Sequence, residues 1–194
     1  SNSELHFDLK TENKLSLKSD NSDFNLLCLP TDNFPTFSDE FDNAKISLNN
    51  KNFLKLLNKT KIAISNDDTR HYLNGIFLHL TEAHDRSFLT GVATDSHRLS
   101  SSSVEIENIN NFLPLILPRK TVFQLCSLLT ESNENLTMQT SENKIKFSLG
   151  TIDLISKVID GKFPDYKKVV PAKNEKILIV PSREFISSIE RVTS

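Results

Sequence analysis

The chain has 194 residues, enough for one or two domains with cores of their own, and its 37% hydrophobic and 25% charged content is ordinary for a globular protein. It contains no long apolar run, and residues 1–10 lack a basic segment followed by an apolar core, so neither a transmembrane helix nor a signal peptide is predicted. The formal net charge of −2 argues against a protein that grips nucleic acid by its overall charge, but it leaves room for a local basic face.

The first predicted elements are three short strands and a linker. Residues 4–9, 14–19 and 24–29 alternate apolar and polar side chains, as half-buried strands do, and polar Asn, Asp and Ser residues separate them, as turns require. Residues 30–43, PTDNFPTFSDEFDN, are rich in proline and acidic side chains. This segment is interpreted as a linker between two domains.

A strand and an amphipathic helix are predicted next. Residues 44–48 form the strand, and Asn49 or Asn50 can cap a helix that runs to about Ser65. Apolar residues share one face of this helix, and three lysines recur every four residues on roughly the opposite side. Such a stripe is more often a solvated face than a binding surface. The apolar residues are Phe53, Leu57 and Ile64, flanked by Leu54 and Leu56, and the lysines are Lys51, Lys55 and Lys59.

Four further strands precede a second helix, which runs from Arg119 to about Thr130 with Val122, Leu125 and Leu129 inward. Arg119 and Lys120 stand in its first turn, where the helix macrodipole disfavours cations. Nearby phosphates would explain these two cations, and chance placement would explain them equally well. The four strands are predicted at residues 72–80, 87–94, 97–104 and 112–117.

The chain repeats its own pattern with a domain-sized period. TENKL at residues 11–15 resembles SENKI at 141–145, an offset of 130, and Asn33-Phe34-Pro35 resembles Lys162-Phe163-Pro164, an offset of 129. Each period holds two helices and about eight strands, which predicts an α+β fold with helices packed on antiparallel sheets. The elements that complete the repeat are strands at 135–140, 144–149 and 151–158, a strand at 176–180 and a helix at 182–192.

Several kinds of chemistry lack support in the sequence. Cys28 and Cys126 form no CxxC pair and no histidine stands at metal-ligand spacing, which predicts neither a disulfide framework nor a metal site and fits a reducing cytoplasm. Neither GxGxxG nor GxxxxGK[ST] occurs, so no nucleotide cofactor is expected. Asp95-Ser96-His97 contains the residue types of a hydrolase triad, but neighbouring residues of a strand point to opposite faces and no GxSxG elbow occurs. The chain is therefore not expected to be an enzyme.

Three segments carry a family resemblance: RHYLNG at residues 70–75, VATDSHRLS at 92–100 and DGKFPDYKKVVP at 160–171, supported by LPRKTVFQL at 117–125. Together, in this order and spacing, they strongly resemble the central domain of the bacterial DNA polymerase III beta subunit, the beta sliding clamp. The resemblance implies the DNA clamp fold, with three similar domains per chain and two chains in a head-to-tail ring. By that resemblance the chain divides into 1–43 as the end of domain one with its linker, 44–172 as domain two, and 173–194 as the start of domain three.

The family resemblance also implies a function, that of a non-catalytic processivity factor whose ring encircles and slides on double-stranded DNA without sequence specificity. Helices line the hole of such a ring, and contacts of Lys or Arg to phosphates carry no sequence information. The implied partners are the DNA polymerase III alpha subunit, clamp-loader subunits, and other DNA polymerases and repair proteins that carry a clamp-binding motif. The residues expected to face DNA are Lys51, Lys55, Lys59, His71, Tyr72, Arg119 and Lys120.

A peptide-binding groove is the second implied surface, and part of it is expected to come from domain three beyond residue 194. Ser96 departs from the glycine usual in the family motif, and Lys168 stands where arginine is common and lacks its planar fork, so peptide preference is expected to differ. Without the resemblance, Leu73 and Leu99 read as core residues. The expected groove residues are Leu73, Thr94, Ser96, His97, Arg98, Leu99, Pro164, Lys168 and Val169.

An alternative remains open from the sequence, namely a protein-interaction module without a DNA role. Such a module would share the apolar groove but would not need basic helix faces. The position of the five cations Lys51, Lys55, Lys59, Arg119 and Lys120 distinguishes the two, because only a clamp requires them on one concave face.

Overall fold

The structure is a computed structural model that describes residues 4–36, 40–107, 109, 111–132, 134–171 and 174–193. Segments with alternating apolar and polar side chains form antiparallel strands, and amphipathic segments form the helices. The α-helices in these ranges are α1 (Asn50–Thr60), α2 (Arg119–Glu131) and α3 (Ser182–Thr193). The strands are β1 (His6–Thr11), β2 (Lys14–Ser19), β3 (Ser22–Leu27), β4 (Lys45–Leu48), β5 (Gly75–Ala83), β6 (Arg86–Thr94), β7 (Leu99–Ile106), β8 (Leu115–Pro118), β9 (Leu136–Thr140), β10 (Lys144–Leu149) and β11 (Ile152–Lys157).

The N-terminal strands form a sheet of their own. β1, β2 and β3 pair in chain order and antiparallel, so that Leu17 of β2 lies between Phe7 of β1 and Phe24 of β3. Phe7 and Phe24 remain exposed. This part of the chain therefore has a strand pattern with an apolar face that the surrounding structure does not bury.

Two four-stranded antiparallel sheets and two helices make up the central part. The sheet order is β11-β10-β9-β4 in one and β7-β6-β5-β8 in the other. α1 follows the edge strand β4, and α2 follows the edge strand β8, so each helix leaves an edge and crosses back over the sheets. The prediction of an α+β fold with helices on antiparallel sheets is confirmed.

The two central helices lie antiparallel to each other. The side-chain amide of Asn50 at the start of α1 donates a hydrogen bond from Nδ2 to the Ser132 carbonyl just after α2, at 2.5 Å. At the other end, the Lys61 ammonium lies 5.6 Å from the ring centre of Phe123 in the first turns of α2. The ends of the two helices therefore meet in opposite order.

The main core lies between this helix pair and both central sheets. Phe53 of α1 stacks on Phe147 of β10 with ring centres 6.1 Å apart, which joins the helix to the first sheet. Leu56 packs over Gly91 of β6, where an added Cβ would lie only 2.6 Å from a Leu56 methyl carbon. A second cluster of buried side chains, which we call the outer cluster, consists of Leu73, Val92, Ile116 and Phe163. Val92 follows Gly91 on β6, and adjacent residues of a strand point to opposite faces of the sheet. The outer cluster therefore lies on the sheet face turned away from the helices.

The repeat predicted from the sequence is present in the structure. β2 and β10 begin 130 residues apart at Lys14 and Lys144, and β3 and β11 begin 130 residues apart at Ser22 and Ile152. α1 and α3 begin at Asn50 and Ser182, an offset of 132. The same three-stranded unit followed by a helix thus occurs twice in the described residues.

Several predicted boundaries are wrong, and at Asp67 a local hydrogen bond overrides the alternating pattern. The first helix ends at Thr60 instead of Ser65, and a 3-10 turn follows at Lys61–Ala63. The strand predicted at 72–80 begins only at Gly75, because a 3-10 helix occupies Asp68–Leu73. The Asp67 carboxylate caps this helix by accepting a hydrogen bond from the backbone N–H of Thr69. The strand predicted at 112–117 forms at Leu115–Pro118.

The strand predicted at 176–180 does not form. In the repeat its counterpart is β4, which pairs with β9 of its own sheet. Residues 177–180 have no such pairing among the described residues, and Ile177 and Ile179 are more than four-fifths exposed. An apolar run alone therefore does not make a strand, because backbone pairing requires a partner.

Linker residues 37–39 and the predicted domain boundary at residues 172 and 173 lie outside the described residues.

None of the helices in the described ranges has the length and apolar content needed to cross a membrane.

Candidate functional site

A cavity of about 580 Å³ lies between the turn that follows β6 and the segment that follows Phe163. Leucine, valine and proline side chains form its floor and walls, and polar side chains stand at its rim. Its lining residues are Leu73, Thr94, Ser96, His97, Arg98, Leu99, Pro164, Asp165, Tyr166, Val169, Val170 and Pro171.

The first wall is a turn built around Asp95. Its carboxylate accepts hydrogen bonds from the amides of His97 at 3.0 Å and Arg98 at 2.9 Å, and from the Arg98 guanidinium at 3.0 Å. The Arg98 amide, followed by the His97 amide, lowers the pKa of the Asp95 carboxyl. Residues 95–98 are therefore a turn, and the strand predicted at 97–104 begins only at Leu99.

Ser96 occupies a backbone conformation that favours glycine. Its φ of 77° lies in the left-handed region, where a side chain costs energy and glycine does not. The Ser96 hydroxyl accepts a hydrogen bond from Arg70 Nη1 at 2.7 Å, and Arg70 Nε donates to Asp67 at 2.8 Å. This geometry gives a physical reason for the glycine usual at this point of the family motif. It also gives the Ser96 hydroxyl a partner other than His97, so Asp95-Ser96-His97 does not have the geometry of a triad.

Hydrogen bonds hold the loop that supplies Arg70. The Thr69 hydroxyl and amide donate to Asp67, and together with Arg70 they lower the pKa of this carboxyl to about 2. Asp67 therefore stays charged at neutral and mildly acidic pH. The charge holds Arg70 beside the cavity rim.

The second wall comes from residues 164–171. Phe163 anchors it, because its ring stacks on Phe77 of β5 with centres 4.9 Å apart and planes 5° apart. Tyr166 begins a 3-10 turn at Tyr166–Lys168, and its hydroxyl lies 3.1 Å from Nε2 of His79. This wall is therefore tied to the sheet face that carries the outer cluster.

Eight of the nine residues predicted for the groove lie together around this cavity. Lys168 does not line it: its ammonium pairs with Asp165 at 3.2 Å and its side chain is 81% exposed. Leu73 is buried in the outer cluster and still reaches the cavity, so it is both a core residue and a lining residue. The role of all nine predicted residues in peptide binding stays a prediction.

Four lining residues were not predicted from the sequence: Asp165, Tyr166, Val170 and Pro171. All four belong to DGKFPDYKKVVP, the segment that already carried the resemblance. Their position in this short segment, beside Pro164 and Val169, was the signal that could have identified them.

The predicted DNA-facing cations occupy two places on the helix pair. Lys55 and Lys59 line a shallow groove between α1 and β7, and Lys51 is exposed one turn earlier on the same stripe. Arg119 and Lys120 lie in the first turn of α2, as predicted, with the Arg119 guanidinium 5.3 Å from the ring centre of Phe123.

One further cation joins this cluster and was not predicted. Lys61 reaches the same Phe123 ring from the end of α1. Phe123 is nearly half exposed, so two cations and an aromatic ring meet at the surface. The antiparallel helix packing thereby gathers Lys61 and Arg119 at one end of the pair.

His71 and Tyr72 lie apart from the two long helices. Their rings meet edge to face with centres 5.9 Å apart, and Tyr72 packs against the outer cluster. The 3-10 helix that carries them leads to Asn74, whose carbonyl accepts the Arg119 amide at 3.0 Å. They are thus connected to the start of α2 through the backbone, and their role toward DNA stays a prediction.

Side chains that could hold a metal do not gather in the described part of the chain: no group of three or more His, Cys, Asp or Glu has suitable geometry there. Cys28 and Cys126 are both free thiols, and Cys126, a residue of α2, is buried. The residues that line the cavity offer apolar contact and hydrogen bonding.

Comparison with known proteins gives consistent matches. Residues 47–165 match the family model described as DNA polymerase III beta subunit, central domain. A beta sliding clamp of Caulobacter vibrioides is 36% identical over 182 residues, covering 93% of this chain and 49% of the relative. A beta sliding clamp of Rickettsia felis is 38% identical over 184 residues, covering 92% and 47%. The chain spans about half the length of the curated relatives it matches.

Solved structures agree with these matches. The crystal structure of a sliding clamp from Bartonella birtlesii bound to griselimycin superposes with a TM-score of 0.87 at 37% identity, covering 97% of this chain and 51% of that one. The Caulobacter crescentus pol III beta structure gives a TM-score of 0.89 at 34% identity, covering 98% and 52%. The likeness thus extends over nearly the whole of this chain.

Proposed function

Because the chain belongs to the family of DNA polymerase III beta subunits, the bacterial beta sliding clamps, we propose that it acts as part of a DNA polymerase processivity factor. The protein forms a ring that encircles duplex DNA and tethers the replicative polymerase, and it catalyses no reaction. One observation supports this proposal beyond the family name: one apolar cavity is lined by eight of the residues expected in the groove.

The cavity suits a short peptide with large apolar anchors. Leu73, Leu99 and Val169 supply apolar surface for a Leu or Phe side chain, and desolvated anchors of this kind dominate peptide affinity. Thr94, with its hydroxyl bonded to the Arg98 carbonyl, and the exposed His97 add polar groups at the rim. The same arrangement would accept many partners that share one short motif.

Griselimycin is the first probe for this site, since the Bartonella birtlesii clamp was crystallised with it. We expect the full chain to bind griselimycin and a short peptide with Leu and Phe anchors in isothermal titration. His97→Ala, Leu99→Ala and Val169→Ala in one variant should weaken both by at least about ten-fold, because the variant removes two apolar side chains and a rim group from the cavity.

A matched variant controls for general effects of three alanines. His6→Ala, Leu113→Ala and Val192→Ala change the same residue types at exposed positions that do not line the cavity. This variant should bind both probes as the wild type does. Equal affinities for the two triple variants would refute the cavity as the binding site.

The basic helix pair is proposed to face DNA. Contacts of ammonium and guanidinium groups to phosphates are independent of sequence and weaken steeply with salt, which suits a ring that slides. Retention then comes from closure of the ring around the duplex, and strong local binding would hinder movement. Lys55, Lys59 and Arg119, with Lys61 beside them, are the proposed contacts.

Charge reversal tests this part. Lys55→Glu, Lys59→Glu and Arg119→Glu together should weaken binding of the full chain to duplex DNA at low salt and reduce the salt slope by about one for each phosphate-binding cation that is removed. The control reverses three other exposed lysines, at positions 157, 162 and 176. If both variants bind DNA alike, the alternative of an interaction module without a DNA role gains.

The organisation of the protein is proposed in the same terms. Residues 1–43 belong to the end of domain one with its linker, 44–172 form domain two, and 173–194 begin domain three of a clamp that pairs head to tail as a homodimer. The proposed partners are the DNA polymerase III alpha subunit, clamp-loader subunits, and further polymerases and repair proteins with a clamp-binding motif. Its proposed location is the cytoplasm, where replication takes place in bacteria.

A further inference from the structure

Four aromatic rings form a column on the sheet face that carries the outer cluster. Phe163 stacks on Phe77, and Phe77 stacks on His79 with ring centres 4.9 Å apart and planes 25° apart. His79 then meets Tyr166 with ring centres 5.7 Å apart. Phe77 and His79 are two residues apart on β5 and so share a face. The two β5 rings therefore form the middle of the column, and its two ends, Phe163 and Tyr166, belong to the segment that anchors and forms the second wall.

The hydrogen bonds of His79 fix the position of its proton. Nδ1 lies 3.0 Å from the Leu80 carbonyl oxygen, which can only accept, so Nδ1 carries the hydrogen. Nε2 of the neutral ring is then an acceptor, and the Tyr166 hydroxyl donates to it at 3.1 Å. Burial lowers the pKa of His79, and the charge of Lys167 acts in the same direction, so the ring stays neutral at neutral pH.

Tyr166 is the point where this bond reaches the cavity. Half of the lining residues belong to the segment 164–171 that contains it. Backbone hydrogen bonds within this segment are local, from the Lys168 amide to the Asp165 carbonyl at 3.3 Å and from the Val169 amide to the Tyr166 carbonyl at 3.1 Å. The bond to His79 instead spans 87 residues and ends on β5.

We propose that His79 is a positioning residue of the cavity: it holds the Tyr166 hydroxyl and thereby fixes residues 164–171 as the wall that meets a bound ligand. His79 itself does not line the cavity and is buried. The proposal rests on the proposed function for its ligand, but the placement of the wall can be measured without one.

Three substitutions separate the two hydrogen bonds of His79. The amide of His79→Gln can reach the position of Nε2 and offer an oxygen to Tyr166, whereas the shorter amide of His79→Asn reaches only the position of Nδ1. Tyr166→Phe removes the donor and keeps the ring. Amide hydrogen exchange of Lys168 and Val169 should therefore accelerate by about three- to ten-fold in His79→Asn and in Tyr166→Phe, the effect of one hydrogen bond, and change little in His79→Gln.

Griselimycin affinity of the full chain supplies the second readout. His79→Asn and Tyr166→Phe should each weaken binding by about three- to ten-fold, and the double variant should be no weaker than either, because both remove the same bond. His79→Gln should bind griselimycin like the wild type, because it restores the acceptor for the Tyr166 hydroxyl. If the histidine were needed only to fill its buried position, His79→Gln should weaken binding as well.

The outcomes distinguish this proposal from the function on which it rests. Unchanged exchange and affinity in His79→Asn and Tyr166→Phe, or independent losses that add in the double variant, would overturn the positioning role. Accelerated exchange combined with griselimycin binding that the triple variant at His97, Leu99 and Val169 does not alter would uphold the positioning of the wall and refute the binding function of the cavity.

Discussion

The three-stranded unit β1–β3 and its counterpart β9–β11 share one local pattern but differ in burial. Leu17 in β2 and Phe147 in β10 occupy equivalent positions of the repeat, 130 residues apart. Each lies in the central strand of its three-stranded unit, with an antiparallel strand on either side. Phe147 is fully buried against Phe53 of α1. Phe7 and Phe24, which flank Leu17, are exposed.

The difference shows that alternation and turns suffice to specify strand pairing, whereas a core requires the elements that cover the sheet. In the central part those elements are the edge strand β4 and the helix α1, and in the described part of the chain no equivalent pair covers the apolar face of β1–β3. Their counterparts at the far end of the chain, residues 177–180 and α3, expose their apolar side chains as well, including Ile177, Phe185 and Ile189.

The largest expected contrast concerns this equivalent pair. Phe147→Ala should lower the free energy of unfolding by about 3–5 kcal/mol, because it removes a fully buried ring and leaves a cavity. Leu17→Ala should lower it by less than about 1 kcal/mol. Urea unfolding followed by circular dichroism measures both. Similar losses would mean that β1–β3 shares a core with the rest of the chain.

The same comparison applies to the helix starts. Asn50 in α1 is buried and bonded to the Ser132 carbonyl, whereas its counterpart Ser182 in α3 is exposed. Asn50→Ala should cost about 1 kcal/mol, since a partly buried carbonyl loses its donor, and Ser182→Ala should stay within about 0.5 kcal/mol. The thermal midpoint of the two variants checks this. A loss at Ser182 as large as that at Asn50 would show that α3 is packed rather than exposed.

Much of the fold could be predicted from the sequence because its signals are local. The alternation at 144–149 and the cap at Asn49 depend on a few neighbouring residues, and both are present. Residues 177–180 have an equally good local pattern and no strand, because pairing depends on a distant segment. The turn at 95–98 was missed since its geometry depends on the carboxylate of Asp95 accepting two later amides.

The candidate site divides in the same way. The lining residues found from the sequence lie in short motifs that carry the family resemblance. The contribution of Tyr166 was missed because it depends on His79, 87 residues earlier, and the φ of Ser96 leaves no trace in residue type. Lys61 was overlooked since its contact with Phe123 arises only when α1 and α2 pack antiparallel. Local chemistry was thus readable, and long-range contacts were not.

The smallest expected contrast is one of pH dependence between the buried and the exposed parts. His79 lies buried on β5, and burial, with Lys167 nearby, holds its pKa below the ordinary value of about 6.5. Between the lowered pKa and about pH 6.5, His79 is therefore protonated in the unfolded chain but neutral in the folded chain. The free energy of unfolding is not reduced by His79 above about pH 6.5, and it falls as the pH drops from there toward the lowered pKa. The Tyr166 hydroxyl, whose own pKa burial raises, stays protonated throughout this window.

Substitution separates this contribution from the other titrating groups. His79→Gln should reduce the loss of stability between pH 7 and pH 5, measured as the urea midpoint at each pH, because an amide takes up no proton in that range. His6→Gln, at an exposed histidine of β1, should leave the slope as it is in the wild type. If the two variants behave alike, the His79 ring is not held neutral by its surroundings, and the hydrogen bond from Tyr166 to Nε2 loses its physical basis.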